Sequence, residues 1–167
     1  MAHEIEIVRT PGCTAAVVRF HVAHEELSGV GPRMEGAFAT VLTRLGEAHV
    51  LPTGPAIAVY EPVADGFDVA TGFHVAPEFV APPGIERLEL DAVDAAHTTH
   101  VGPYTQLTQA YADLQTLADR AGRPVAWGAP MWEEYWSEPG TPDDETRTEI
   151  YWPVSAPTSA GSGSRTG

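Results

Sequence analysis

The strongest constraint on the fold is a pattern of segments that occurs twice along the chain. Strand-like runs, in which apolar and polar residues alternate, flank two segments with apolar residues at helical spacing. Gly31-Pro32 opens the first helical segment and Gly102-Pro103 opens the second, and proline is favoured at a helix start. Matching positions lie roughly 71–76 residues apart, which predicts two copies of one β-α-β-β unit.

The two copies are predicted to cover most of the chain. The predicted strands are residues 4–9, 15–23, 56–63, 67–76, 85–101, 125–137 and 146–154, and the predicted helices are 32–49 and 104–121. The predicted fold class is α+β, a tandem pseudo-symmetric β-α-β-β repeat with copies at about 1–80 and 81–154. Clefts between such copies commonly hold ligands, so we expect a ligand groove between the halves. The small-residue tail at 155–167 has nothing to bury and is predicted to be disordered.

Charge and composition exclude several classes of function. The 167 residues suit one domain, and 9 Lys and Arg against 23 Asp and Glu give a net charge of −14. Phosphate binding requires clustered basic residues, so nucleic acid is excluded as a partner. The sequence shows neither a signal peptide nor an apolar run of membrane-spanning length, which predicts a cytoplasmic protein without membrane contact. Cys13 is the only cysteine, so no intramolecular disulfide is expected.

Aromatic residues concentrate in the last third of the chain. All four tryptophans lie between Trp127 and Trp152, interleaved with tyrosines and with carboxylates that have no evident basic partner. Leu, Ile and Val fill a core without an N–H or O–H group that needs a partner, so this many amphipathic rings indicates more than core packing. Ring faces and carboxylates both attract positive charge. The cluster therefore predicts a surface for a flat, apolar and cationic compound.

Glu149 is the sharpest candidate for a functional carboxylate. Alternation along residues 146–154 places Ile150, Trp152 and Val154 on one face, under a helix, and Arg147, Glu149 and Tyr151 on the other. An acid at this place is either solvated on an open sheet face or directed into a pocket. Periodicity alone leaves both interpretations open.

The run at 127–136 leaves its own orientation open. One side of the predicted strand carries Glu133 and Tyr135. The other side carries Trp132, Glu134 and Trp136. Both sides mix aromatic rings with an acid, so neither is a plain core face and either could face a ligand.

Other kinds of chemistry find no support in the sequence. His97 and His100 are three residues apart in a predicted strand and point to opposite faces, so they cannot share a metal ion. Cys13 and Ser28 lack the sequence context of a catalytic nucleophile, and no glycine-rich phosphate loop is present. We therefore expect no metal, no cofactor and no covalent catalysis.

Three runs of the sequence, HVGPYTQLTQAYADL, WGAPMWEEYW and TEIYWPV, together resemble the GyrI-like family. Its members are small-molecule-binding domains that also occur fused to AraC-type and MerR-type multidrug-responsive regulators. The resemblance is clearest over residues 97–154 and extends through the repeat across the first half. It implies two β-α-β-β modules in a pseudo-twofold arrangement with a ligand groove between them. No helix-turn-helix precedes the module in this sequence, which predicts a stand-alone form.

The resemblance also implies roles for individual residues. A carboxylate at the centre of the groove is the hallmark of the family, and Glu149 in TEIYWPV matches it. The residues that resemble its aromatic walls are Tyr104, Trp127, Trp132, Tyr135, Trp136 and Tyr151.

Three functions are compatible with these observations. The first is binding of lipophilic, often cationic, polycyclic compounds, as in multidrug binding or toxin sequestration, with Glu149 selecting positive charge. The second, implied by some stand-alone family members, is hydrolysis of the strained cyclopropane of DNA-alkylating antibiotics, with Glu149 as general base and Tyr135 or Tyr151 as donor. The third is contact with a basic protein surface, as the family name's link to gyrase inhibition suggests. We predict the first, with hydrolysis as the alternative; the natural ligand, the oligomeric state and any protein partner stay open.

Overall fold

Eight strands form one antiparallel sheet, and two helices lie on one face of it. The computed structural model describes residues 3–138 and 140–156, so most of the tail predicted to be disordered lies outside the described residues. The strands are β1 Glu6–Arg9, β2 Cys13–Ala23, β3 Ala56–Val63, β4 Gly66–Val75, β5 Glu86–Leu90, β6 Asp94–Val101, β7 Met131–Tyr135 and β8 Arg147–Pro153. The helices are α1 Gly31–Glu47 and α2 Leu107–Arg120, with short 3₁₀ turns at His24–Gly29, Tyr104–Gln106 and Asp143–Glu145.

The predicted α+β class is confirmed, but two predicted strands differ from the structure. The run at 85–101 is two strands, β5 and β6, because residues 91–93 cross from one edge of the sheet towards the other. The run at 125–137 shortens to β7. Pro124 and Pro130 cannot donate to a ladder, and before β7 only Val125 pairs, through an isolated bridge to Val154.

The strand order places the two halves of the chain side by side. The order is β1-β6-β8-β7-β3-β4-β2-β5, so β7 and β3 meet at the centre. Each half contributes strand, helix, strand, strand, while β1 pairs with β6 of the second half and β5 pairs with β2 of the first. The halves therefore exchange their outermost strands. A tandem duplication and its boundaries stay predictions.

Two short connections force the sheet to curl. β1 and β2 stand six strand positions apart, which would separate them by about 29 Å in a flat sheet. The three residues that join them span about 14 Å at most, and three residues also join β5 to β6 across six positions. The sheet therefore curls until the two connections meet, where Thr10 and Val93 are joined by hydrogen bonds of 2.8–3.0 Å.

The curl gives the sheet two unlike faces. On the face closed by the connections, termed the linker face, Val17 and Trp132 are buried with apolar side chains from both halves. On the opposite face, termed the helix face, α1 packs on β2 and β4 through Val41 and Leu45, and α2 packs on β6. No helix in the described part of the chain is long and apolar enough to cross a bilayer.

Candidate functional site

The candidate site lies on the helix face of the sheet, between the two helices. Because α1 covers β2 and β4 and α2 covers β6, the central strands β3 and β7 lie between them. Alternation and register direct Tyr60 of β3 and Glu133 and Tyr135 of β7 to this face. We term it the tyrosine groove; its residues are Met34, Phe38, Tyr60, Tyr104, Tyr111, Glu133 and Tyr135.

Glu133 is the buried acid of the tyrosine groove and is only 4% exposed. Tyr111 of α2 donates its hydroxyl to one carboxylate oxygen, and Tyr135 donates to the other at 2.5 Å. Within residues 3–138 and 140–156, no Lys, Arg or His forms an ion pair with this carboxylate. Glu133 therefore has hydrogen-bond donors but no counter-charge.

The pKa values in the tyrosine groove reflect this missing charge. Burial raises the pKa of Glu133 to about 7, although the hydrogen bond from Tyr135 acts in the opposite direction. Burial, together with the nearby Glu133 carboxylate, also raises the pKa values of Tyr60 and Tyr135. Ionisation is thus disfavoured throughout the groove. A proton, or another positive charge, relieves the cost at Glu133.

Aromatic and sulfur groups form the walls of the tyrosine groove. The Tyr60 hydroxyl donates to the Met34 sulfur of α1 at 3.4 Å, and the Phe38 ring meets the Tyr135 ring edge-on at 5.8 Å. Tyr104, before α2, also meets Tyr135 edge-on, at 5.9 Å, and is 51% exposed at the rim. These groups offer a polarisable, largely apolar lining around one acid.

Thr148 adds a free polar group beside this lining. It lies opposite Tyr135 on β8, on the same face of the sheet. Its buried hydroxyl has no hydrogen-bond partner among the described residues. Buried hydroxyls are normally paired, so this one is available to a bound molecule.

Glu149 lies on the linker face and is fully paired. It is 4% exposed and accepts hydrogen bonds from Arg147 at 2.7 Å, His97 at 2.6 Å and Thr99 at 2.8 Å. Burial raises the pKa of Glu149, but the three partners outweigh burial and the net pKa is lowered. Glu149 is therefore neither solvated nor unpaired, because strand alternation brings Arg147 to the same face and β6 supplies the other two partners.

Trp132 and Tyr151 accompany Glu149 on the linker face. The Tyr151 ring stacks between His97, at 4.7 Å and 28°, and Trp132, at 5.4 Å and 15°. Trp132 is 5% exposed and packs in the core under the connections. The two rings have the geometry of a core stack, and their contact with a ligand stays a prediction.

The other predicted site residues are divided between the two faces. Tyr104 and Tyr135 lie in the tyrosine groove. Trp127 is 64% exposed in the loop before β7, with its ring edge-on to Trp152 at 5.0 Å on the helix face. Trp136 follows β7 directly and lies on the other face, with the Arg147 guanidinium over its ring. The structure therefore does not bring the seven predicted residues into one site.

Sequence reasoning passed over Glu133 and Tyr60 as functional residues. Glu133 and Glu134 are adjacent, so alternation sends one to each face, and the periodicity of β7 does not say which face has the groove. The sequence did offer one indication, because Glu133 and Tyr135 are two residues apart and therefore lie on the same face of the strand. The choice depends on long-range pairing of β7 with β3, which no local pattern encodes.

A second concavity lies away from this chemistry. A cavity of about 1210 Å³ at the β6 edge is lined by the amino-terminal segment and α2, including His3, Glu6, His100 and Gln109. Its lining contains no Trp, Tyr or Phe, so it suits a flat apolar ligand less well than the tyrosine groove does. Among the described residues, no group of three His, Cys, Asp or Glu side chains is arranged to hold a metal ion.

The fold is similar to several solved structures. The EcmrR C-terminal domain matches with a TM-score of 0.71 and 20% identity over 93% of this chain and 99% of that chain. SAV2435, solved bound to tetraphenylphosphonium, matches with a TM-score of 0.66 and 15% identity over 91% of this chain and 94% of that chain. A hydrolase from Listeria innocua matches with a TM-score of 0.61 and 14% identity over 91% of this chain and 92% of that chain. In the EcmrR–DNA complex this chain spans 58% of the EcmrR chain. At these identities the likeness concerns the fold alone.

Comparison with family models identifies the chain more directly. No curated protein matches the sequence significantly. The model described as the GyrI-like small molecule binding domain matches residues 35–155, which include most of α1, the β3–β4 hairpin and the whole second half. This match covers most of the chain and every residue of the tyrosine groove except Met34. The chain belongs to the GyrI-like family of small-molecule-binding domains.

Proposed function

We propose that the tyrosine groove binds lipophilic organic cations, with Glu133 as the counter-charge. This keeps the ligand class predicted from the sequence and moves its central carboxylate from Glu149 to the adjacent strand. The observation that carries the proposal is a carboxylate 4% exposed, held by two tyrosine hydroxyls and by no base among the described residues. A buried acid of this kind is stabilised by any cation that reaches it.

The groove lining supports a ligand that is apolar as well as charged. Removal of a flat ligand's surface from water against Tyr60, Tyr135 and Phe38 contributes about 25 cal/mol per Å². Contact of the cation with the ring faces adds about 1–2 kcal/mol where water is excluded. A small hydrated cation gains neither contribution. We therefore expect selection for delocalised, poorly hydrated cations.

Entry of such a ligand requires a change at the rim. Tyr111 covers Glu133 from α2, and Tyr104 covers Tyr135 beside it. A cation that replaces the Tyr111 hydroxyl at the carboxylate exchanges a neutral hydrogen bond for an ion pair. This exchange favours the charged ligand over a neutral one of the same shape.

A pair of ions with the same shape tests the proposal. Tetraphenylphosphonium and tetraphenylborate are both tetraphenyl ions of opposite charge, so their apolar contacts match. We expect the cation to quench tryptophan fluorescence with an affinity at least about 100-fold higher than the anion. Triphenylphosphine oxide, a neutral control, should fall between them. Equal affinities for the two ions would exclude a counter-charge role for Glu133.

Hydrolysis is a second candidate at the same groove. The pKa of Glu133 of about 7 suits a general base at neutral pH, and Tyr135 lies in hydrogen-bond contact with it. Glu133 would take a proton from water, whose oxygen attacks a cyclopropane carbon. The ring bond breaks and its electron pair passes to the conjugated carbonyl, whose oxygen accepts a hydrogen bond from Tyr135. The proton that Glu133 took from water then passes to that oxygen. Glu149, the base predicted from the sequence, is less suited because Arg147 holds its pKa low.

Mass spectrometry separates hydrolysis from binding. A cyclopropane-bearing alkylating agent incubated with the protein gains the mass of one water if the groove is catalytic. We expect Glu133→Gln to abolish that gain, whereas Glu149→Gln retains it. Binding of the agent with no change of mass would leave the protein a binder only.

A further inference from the structure

Two buried hydroxyl groups on the helix face have no hydrogen-bond partner in the described part of the chain. They belong to Thr71 of β4 and Thr148 of β8, and both residues are fully buried. Among the described residues, no other buried side-chain nitrogen or oxygen atom is left unpaired. A hydroxyl that is removed from water without a partner costs free energy, and native proteins keep few of them. Each of the two therefore requires an explanation.

The strand register places both hydroxyls beside Glu133. Thr148 pairs with Tyr135, which is two residues from Glu133 on β7, so Thr148 and Glu133 are diagonal neighbours. On the other side, Ala58 of β3 pairs both with Glu133 and with Thr71. Residues that pair directly in a ladder point to the same face of the sheet. The two unpaired hydroxyls therefore flank the buried acid of the tyrosine groove.

The two hydroxyls differ in what covers their strands. Thr71 is on β4, on which α1 packs through Val41. Thr148 is next to Tyr135, and the ring that meets Tyr135 from the rim is the half-exposed Tyr104. A ligand that enters past Tyr104 therefore meets Tyr135 and Thr148 first. Thr71 is reached only if α1 separates from β4.

We propose, on the basis of the cation binding proposed at Glu133, that Thr148 is a second polar anchor of the tyrosine groove. The ligand class is then a lipophilic amine with a hydroxyl or carbonyl group close to its charged nitrogen. Diagonal neighbours in a sheet have Cβ atoms roughly 7 Å apart. A short amino alcohol spans this separation with a hydrogen bond of about 2.8 Å at each end. Because a threonine hydroxyl both donates and accepts, either ligand group suits it.

The second anchor separates two kinds of lipophilic cation. Tetraphenylphosphonium has no hydrogen-bonding group, so it uses the Glu133 carboxylate and the rings and leaves the Thr148 hydroxyl unpaired. An amino alcohol forms an ion pair with Glu133 and also pairs the Thr148 hydroxyl. A buried hydrogen bond between neutral groups is expected to raise affinity about fivefold. Selection among cations of similar apolar area therefore depends on the second polar group.

Isothermal titration calorimetry with propranolol and its deoxy analogue tests the anchor. The two lipophilic amines differ only in one hydroxyl group, and both are cations at about pH 8. We expect wild type to prefer propranolol about fivefold, and Thr148→Val to abolish or reverse that preference because the ligand hydroxyl then has no partner. Thr71→Val is the matched control, since it removes the other unpaired hydroxyl, and it should keep the wild-type preference. Tetraphenylphosphonium should bind all three proteins equally.

The ratio of the two amine affinities isolates the hydrogen bond, because a change of packing alters both affinities together. Thr148→Ser keeps the hydroxyl and should keep the preference, which also shows that the site tolerates substitution if Thr148→Val fails to fold. The anchor is refuted if wild type shows no preference, if Thr148→Val keeps it, or if Thr71→Val loses it equally. Failure of both amines and of tetraphenylphosphonium to bind wild type would instead refute the cation binding at Glu133 itself.

Discussion

Glu133 and Glu149 are two glutamates on adjacent strands, each 4% exposed, with opposite chemical character. Glu149 faces the connections and is hydrogen-bonded to Arg147, His97 and Thr99. Glu133 faces the gap between the helices and is hydrogen-bonded to two tyrosines. The pKa is lowered in the first and raised to about 7 in the second. Their exposed fractions are equal, but Glu133 lies deeper among protein atoms and has no charged partner, and both differences raise its pKa relative to that of Glu149.

The comparison shows what distinguishes a structural acid from a binding acid in one sheet. A carboxylate with its own cation loses an interaction when a ligand displaces that cation. A carboxylate held by neutral donors gains an ion pair when a cationic ligand arrives. Glu149 therefore suits a role in joining β6 to β8. Glu133 suits a role that appears only when a ligand is bound.

Stability gives the largest expected contrast. Glu149→Gln should lower the free energy of unfolding by about 1.5 kcal/mol at pH 8, because Arg147 and His97 lose a charged partner; the figure is reduced because Arg147 is half-exposed. Glu133→Gln should raise it by about 1 kcal/mol, because an amide replaces a buried charge; its oxygen accepts from one tyrosine hydroxyl and its NH2 group donates to the other. Urea unfolding measures both. Equal signs for the two variants would contradict the contrast drawn between the acids.

Ligand binding should show the reverse ranking. Glu133→Gln is expected to weaken tetraphenylphosphonium binding about 30-fold, or about 2 kcal/mol, because the counter-charge is lost. Glu149→Gln should change the affinity less than about twofold, since its carboxylate is on the other face of the sheet. Isothermal titration calorimetry measures both. A larger loss of affinity in Glu149→Gln than in Glu133→Gln would mean that Glu149, the carboxylate predicted from the sequence, binds the ligand.

The fold could be predicted from the sequence because its signals are local. The apolar spacing of α1, the alternation of β3 and β4 and the glycine-proline pairs before both helical segments all act within a few residues. The boundary between β5 and β6 was not predictable in this way. Residues 91–93 continue an alternating pattern, and only the closure of the curled sheet shows that they are a crossing.

The proposed site shares its residue types with the site predicted from the sequence, but its central acid differs. A cluster of rings around a buried acid was expected, and Tyr104 and Tyr135 belong to it. The acid itself depends on which face of β7 lies between the helices, which is set by pairing with a strand about 75 residues earlier. The partners of Glu149 come from β6 for the same reason. Long-range register, rather than residue type, separates the two glutamates.

The pH dependence of stability should run in opposite directions for the two acids. The pKa of Glu133 is higher in the folded state than its ordinary value of 4.5, so its contribution to stability is full below about 4.5 and is lost as pH rises to about 7. We expect a decline of about 3 kcal/mol over that window, absent in Glu133→Gln. The pKa of Glu149 is lowered in the folded state, so this residue stabilises the fold at pH values above its ordinary pKa. That stabilisation is lost as the pH falls below the ordinary pKa. Chemical unfolding at several pH values reports both, and wild-type stability that is flat from 4.5 to 7 would refute the first.

Tyr135→Phe should produce the smallest change, a shift in the pH midpoint of cation binding. Cation affinity rises as Glu133 ionises, with a midpoint near its pKa of about 7. The Tyr135 hydrogen bond lowers that pKa, so its loss should move the midpoint upward by about 0.5 pH. Tetraphenylphosphonium titrations from about pH 5.5 to about pH 8.5 locate the midpoint independently of the absolute affinity. Tyr151→Phe, on the linker face, is the matched control and should leave the midpoint in place. A downward shift in Tyr135→Phe would mean that the hydroxyl stabilises the protonated acid, and Glu133 would then be less ready to accept a cation than its partners imply.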